Sequence, residues 1–180
     1  MNGIEHHNLA IRHATSTDVA AIATVEAAEF PPAEAATEDQ IRARVAAYPE
    51  CFWLLVDGGD RLLAFINGMA TDRPDLTDDM YADASMHNPR GAWQMIFGVV
   101  TAPECRHRGL ASLLMRRVVD DARGAGRRGL VLTCKDRLVG FYERFGYVDE
   151  GVSDSTHGNV VWHQMRLTFT QQHTDKESDD

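Results

Sequence analysis

The stretch from Trp93 to Cys134 restricts the possible folds more than any other part of this chain. It opens with an apolar run through Thr101, of the kind that forms a strand, and Pro103 ends that run. After a short arginine-rich loop a helical pattern runs from Gly109 to about Ala125, and Arg128 to Cys134 is again apolar and β-rich. A strand, a helix and a strand in immediate succession form the unit that lays two strands parallel to each other.

The junction inside that unit has a chemistry of its own. Val99, Val100 and Thr101 feed a loop, Arg106, His107, Arg108, Gly109, Leu110, Ala111 and Ser112, whose last residues open the helix. Gly109 lets the backbone pass close to a ligand, and the small Ala111 leaves the first turn unblocked. The first N–H groups of a helix lack intrahelical acceptors and sit at the positive end of its dipole, a natural seat for phosphate. An ordinary strand-to-helix turn has the same local pattern, so spacing alone leaves both readings open.

Charge supports a small anionic ligand rather than a polymer. The chain of 180 residues carries a formal net charge of −9, which argues against nucleic acid as a general partner. Yet seven arginines stand between positions 106 and 128, against Asp120 and Asp121. No run of residues is long and apolar enough to span a bilayer, and MNGIEHHNLA lacks the pattern of a signal peptide. Cys51, Cys105 and Cys134 fit neither a disulfide framework nor a cysteine-rich zinc site. A cytoplasmic protein without membrane partner or metal is expected. His157 and His163 lack a closed ligand set and are read as polar residues of a loop and a strand.

The other elements follow from local signals. Asn8 to His13 is a weak strand; Thr15 to Asp18 offers caps for a helix to about Phe30, with Val19, Ile22 and Val25 or Glu26 facing inward. Thr37 and Gln40 form a capping-box pattern before a second helix that ends near Pro49. Cys51 to Val56 and Leu62 to Met69 make a hairpin around Asp57-Gly58-Gly59-Asp60. A long acidic connection, Thr71 to Gly91, includes a short helix near Leu76 to Ala84. Asp136 to Phe145 is an amphipathic helix closed by Gly146, and Tyr147 to Val152 and Val160 to Phe169 are final strands. The expected architecture is one α/β (α+β) domain over 1–169, a mixed, mainly antiparallel seven-stranded sheet with about four helices. Residues 170–180 read as a disordered tail.

Arg106-His107-Arg108-Gly109-Leu110-Ala111 fits the signature Gln/Arg-x-x-Gly-x-Gly/Ala, and in that setting the chain resembles the GNAT superfamily of N-acetyltransferases. The likeness runs on through Val131-Leu132-Thr133-Cys134 and Phe141-Tyr142-Glu143-Arg144-Phe145-Gly146-Tyr147. Within the superfamily it resembles aralkylamine (serotonin-type) enzymes at Leu63-Ala64-Phe65-Ile66 and His87-Asn88-Pro89-Arg90-Gly91. The resemblance implies acetyl-CoA as acyl donor and a small primary amine as acceptor. It assigns backbone groups of Val99, Val100 and Thr101 to the pantetheine arm and the loop from Arg106 to Ser112 to the pyrophosphate. Thr133 would line the donor channel, and Tyr142 would be the general acid toward the leaving sulfur.

An ordinary phenol, with a pKa near ~10, is protonated at neutral pH and suits that role, although an apolar-face tyrosine beside Phe141 and Phe145 is equally a core residue. An ammonium also has to lose a proton before it can attack. Met95 and Phe97 stand where the aralkylamine enzymes carry two histidines, so the base must come from elsewhere. Glu29, Asp72 and His87 are the candidates, and Phe30 with Pro31 offers a wall for the acceptor. Acylation of a peptide amine and a non-enzymatic acyl-CoA sensor are the competing readings. A monomer or a homodimer is expected, with Trp162 or Phe169 available to an interface.

Overall fold

The computed structural model describes residues 8–170, so the expected tail lies, from Gln171 onward, outside the described residues. The first strand, β1 (Ala10–His13), leads through a 3-10 turn to α1 (Val19–Glu29). A capping box anchors that entry: Asp18 accepts from the Thr15 amide at 2.7 Å. The second helix, α2 (Glu38–Ala47), begins with the expected box, in which Thr37 Oγ1 accepts from the Gln40 amide and Gln40 Oε1 from the Thr37 amide. Such a cap is worth about 1 kcal/mol.

The hairpin forms as β2 (Phe52–Val56) and β3 (Leu62–Asn67), continued by the two-residue β4 (Ala70–Thr71). The acidic connection contains the short helix α3 (Asp79–Ala82), followed by a 3-10 turn at Ala84–Met86. Then come β5 (Trp93–Ile96), β6 (Gly98–Thr101), α4 (Leu110–Gly124), β7 (Gly129–Cys134), α5 (Val139–Glu143), β8 (Val148–Val152) and β9 (His163–Thr168). No helix among the described residues is long and apolar enough to cross a membrane.

The class is the mixed α/β one expected, but the described residues form nine strands rather than seven, in two sheets. One has the order β1-β2-β3-β6, the other β4-β5-β7-β9-β8. One extra strand arises because Trp93 to Thr101, read as a single strand, is interrupted at Phe97; the other is the short β4, at the start of the connection read as irregular. Its first half pairs in parallel with β7, from Trp93 opposite Gly129 to Ile96 opposite Leu132. Its second half pairs only with β3, from Asn67 opposite Gly98 to Ala64 opposite Thr101. Beyond Ile96 the two strands of the parallel unit separate, and the outer edge of β6 has no strand against it among the described residues.

Gly68 makes the hinge possible. A Cβ built there would stand 1.6 Å from the Met95 carbonyl oxygen, so any side chain would push the strands apart where the sheets meet. Met69 and Asn67 carbonyls still accept from the Met95 and Phe97 amides, at 2.7 Å each, and carry the ladder across the break.

The core lies around β2 and β3, whose residues are buried almost throughout. A strand is buried on successive residues only when both faces are covered, and both α1 and α4 pack against β3. Leu110, Leu114, Met115, Val118 and Ala122 form the inner stripe of α4. Each fully buried Leu, Ile or Phe contributes about 1.5–3 kcal/mol, which holds the rigid frame that positions the gap.

Candidate active site

The separation of β6 from β7 opens into a cavity of about 260 Å³. Phe97, Gly98 and Val99 line it from one side of the gap, Thr133 and Cys134 from the other, and Tyr142 on α5 faces it as well. Tyr142 is 7% exposed, and its ring packs edge-on against Phe141 and Tyr147. Burial holds its phenol above the ordinary range, so it stays protonated. Burial likewise pushes the Cys134 thiol up to about 12, leaving it a neutral wall rather than a nucleophile.

The loop before α4 has the features its sequence promised. Arg106, His107, Arg108 and Gly109 are exposed, and His107 (φ 62°) and Gly109 (φ 73°) both take left-handed backbone. The first α4 amide to find a backbone acceptor is that of Leu113, bonded to the Gly109 carbonyl at 3.1 Å, so the amides of Leu110, Ala111 and Ser112 remain free at the helix start. Arg106 Nη2 reaches Glu29 Oε2 at 2.5 Å, tying this loop to the end of α1. Val100 is buried while Val99 and Thr101 are half-buried, so the free edge of β6 connects the loop with the cavity.

The acceptor-side candidates separate into two groups. Glu29, Phe30 and Phe97 line the cavity. Pro31 is exposed, outside the lining, and its carbonyl accepts from the amides of Glu34 and Ala35. Met95 is completely buried in the core. Asp72 accepts from the Ala92 amide at 3.0 Å and from Asn88 Nδ2, fastening the acidic connection in place. His87 is turned toward Tyr48, at 4.8 Å between ring centroids; its Nδ1 accepts from the Ala70 amide and its Nε2 lies 3.1 Å from Glu50. Burial lowers the His87 pKa against the opposing pull of Glu50.

Glu50, Cys51 and His87 are the trio of possible metal ligands among the described residues, with ligand atoms within 4.8 Å of one another. The trio lies apart from the cavity. Burial pushes the Cys51 thiol up to about 12, and Cys51 Sγ contacts Gln94 Oε1.

Several groups that sequence spacing did not select complete the cavity. Tyr81 on α3 stacks against His157 at 4.7 Å and tilts against Phe97 at 4.9 Å. Trp162 is half-buried and lines the cavity, with its Nε1 donating to the His157 carbonyl at 2.8 Å. Lys135 Nζ pairs with the buried Glu34 at 3.0 Å and lies over the Trp162 ring. Arg44 is 4% exposed; it donates to Asn67 Oδ1 and the Tyr81 carbonyl and sits over the Phe97 ring at 4.8 Å. Glu26 is 6% exposed: its Oε1 accepts from the Ala36 amide at 3.1 Å, and its Oε2 has no partner. Burial raises its pKa, against the Ala36 hydrogen bond and the charge of Arg44.

The chain is similar to known proteins over most of its length. Residues 19–147 match the acetyltransferase (GNAT) family. The chain is 28% identical to glucosamine 6-phosphate N-acetyltransferase 1 of Oryza sativa subsp. japonica over 69% of its own length and 72% of that protein's. It is 30% identical to serotonin N-acetyltransferase of Mesocricetus auratus over 73% of its length, a match that spans 62% of the hamster protein. Among solved structures, the GphF GNAT-like decarboxylase in complex with isobutyryl-CoA superposes with a TM-score of 0.76 at 20% identity, covering 88% of this chain and 98% of that one. On the strength of the family match and the shared fold, the chain belongs to the acetyltransferase (GNAT) family of acyl-CoA N-acyltransferases.

Proposed function

We propose that this protein transfers an acetyl group from acetyl-CoA to the primary amine of a small molecule with an apolar or aromatic body. The observation that carries this reading is the break at Phe97, which leaves the β6 edge unpaired beside a cavity faced by Tyr142. Free N–H and C=O groups on a strand edge hydrogen-bond an extended amide-bearing chain, as a further strand would. The pantetheine arm has that character, and the amides and arginines around Arg106 to Ser112 stand where its pyrophosphate would follow.

The donor's thioester then reaches the seam between Val99 and Thr133, opposite Tyr142. Attack of the amine on the thioester carbonyl expels a thiolate, to which the Tyr142 hydroxyl donates. The acceptor lies among Phe30, Tyr81, Phe97 and Trp162, rings that receive an apolar body and favour a nearby cation. A cavity of about 260 Å³ is at the small end for ligand sites, which favours a compact amine over an extended peptide.

Release of CoA from acetyl-CoA is the direct test, across phenylalkylamines, indolalkylamines, polyamines, amino acids and short peptides, with Tyr142→Phe in parallel. Turnover confined to small amines, with kcat lowered about 10²-fold in Tyr142→Phe, is the expected result. Turnover of peptides alone would replace the small-amine reading. Tight acetyl-CoA binding without transfer to any member would replace it with a sensor.

A further inference from the structure

Glu29, the carboxylate that spacing brought forward as a base, is engaged by Arg106. Glu26, one turn earlier on α1, is in the opposite situation. It is more than nine-tenths buried and lines the cavity, one oxygen is held by the Ala36 amide, and the other faces no donor. A buried carboxylate oxygen without a donor is costly to keep, so a group that supplies a proton or a cation completes the site.

We propose that Glu26 receives the proton of the acceptor's ammonium group and is thereby the general base of the reaction. The inference rests on the amine-acyltransfer reading above and names the residue that reading leaves unassigned. The ammonium N–H bond breaks and its proton goes to Glu26 Oε2; the freed lone pair forms the C–N bond at the thioester carbonyl. The C–S bond then breaks, the thiolate takes the Tyr142 proton, and the second nitrogen proton restores Tyr142. Glu26 releases its proton to solvent, so an ammonium and a thioester yield an amide, a thiol and one proton.

The surroundings set Glu26 for this exchange. Burial disfavours its charged form, and Glu29 on the same helix acts in that direction too, while Arg44 from α2 and His157 from the loop before β9 favour the carboxylate. Asp78, Tyr81, Lys135 and Tyr142 face the same cavity, as does Glu34, which is paired with Lys135. Asp78 is bound by Ser155 Oγ and the Thr156 amide. A carboxylate whose pKa is raised by burial is a better proton acceptor than an exposed one, and an ammonium brought beside it supplies the missing donor.

Glu26→Gln tests the role, because the amide oxygen can still accept from Ala36 and keep the α1 connection. The experiment is the pH profile of kcat and kcat/KM for acetyl-CoA with the best amine of the panel, on wild type, Glu26→Gln and Glu26→Asp, each checked by thermal melting. Glu26→Gln is expected to lose about 10²-fold or more in kcat/KM at pH 7. Its acid limb should disappear, activity rising instead with the free amine toward a pKa of about 10. Glu26→Asp should recover part of the rate and the limb. A rate within about 3-fold of wild type, or a rise in KM with kcat and profile unchanged, overturns the role while leaving the acyltransfer reading intact. A wild-type enzyme that turns over no amine overturns both.

Discussion

The Tyr81 hydroxyl lies 3.4 Å from Thr133 Oγ1, joining the short helix α3 to the end of β7 at the point where the sheets part. The bond is long, so its hydroxyl contributes less than the ring does. The ring is held between Phe97 and His157, and its burial pushes the phenol up to about 12. Tyr81→Phe should therefore cost no more than about 1 kcal/mol of stability and leave kcat within a few-fold. Tyr81→Ala should cost about 2–4 kcal/mol and raise the acceptor KM at least 10-fold, because it removes a cavity wall. Denaturant unfolding and steady-state kinetics on the pair separate the two contributions. A Tyr81→Phe enzyme as impaired as Tyr81→Ala would place the function in the hydroxyl.

Arg44 allows a test of the electrostatics around Glu26. Its guanidinium is buried, burial lowers its pKa, and the partners it touches are neutral: Asn67 Oδ1, the Tyr81 carbonyl and the Phe97 ring. Arg44→Met leaves Asn67 Oδ1 and the Tyr81 carbonyl without a donor and should cost about 1–3 kcal/mol. It also removes a positive charge that favours the Glu26 carboxylate, so the Glu26 pKa rises further. With Glu26 as base, the acid limb of kcat/KM should move to higher pH in Arg44→Met and stay in place in Arg44→Lys. A limb that does not move would show that Arg44 is only a structural strut.

Local signals in the sequence located most elements, because caps and turns act over a few residues. The Thr37–Gln40 box and the turn at Asp57 to Asp60 formed as their residues dictate. The break at Phe97 was not legible. Whether an apolar run stays with one partner depends on where Ile96 meets Leu132 and on the close approach at Gly68, neither of which is local. Glu26 was half visible: with Val19 and Ile22 it lies on the inward stripe of α1, but spacing does not say that a cavity meets that stripe. His157 and Trp162 enter through contacts between distant segments, such as His157 Nε2 to the Glu34 carbonyl, 123 residues apart.

Stability should carry the mark of Glu26 in a pH window of its own. Its folded pKa is raised above the unfolded value of 4.5, so the folded state binds the extra proton between the two. Relative to an uncharged residue, Glu26 costs nothing below the unfolded pKa, and the penalty grows as pH rises until it levels off above the folded pKa. Asp18, whose pKa is lowered chiefly by its hydrogen bond with Arg12, acts oppositely and loses its contribution as pH falls. The clean comparison is thus the difference between Glu26→Gln and wild type. Glu26→Gln should be the more stable at pH 7 to 8, with the advantage vanishing near pH 4. Urea unfolding across pH 4 to 8 reads it directly, and a constant difference would mean that Glu26 is not perturbed by burial.

Gly109 and Gly140 resemble each other in space but not in backbone, and substitution should affect them in opposite directions. A Cβ at either would meet nothing within 4 Å. Gly109 has φ 73° at the start of α4, whereas Gly140 lies within the helical turn of α5. Alanine at 109 must take left-handed backbone, at a cost of about 1–2 kcal/mol, or turn the loop and its free amides out of position. Alanine at 140 restricts the unfolded chain and favours the helix, for a gain of about 0.5–1 kcal/mol. Thermal melting should therefore show Gly109→Ala destabilised and Gly140→Ala stabilised. Calorimetric titration with CoA should show affinity reduced about 10-fold by Gly109→Ala and unchanged by Gly140→Ala; 10-fold corresponds to about 1.4 kcal/mol. Equal CoA affinity in both variants would move the phosphate site away from the loop at Arg106 to Ser112.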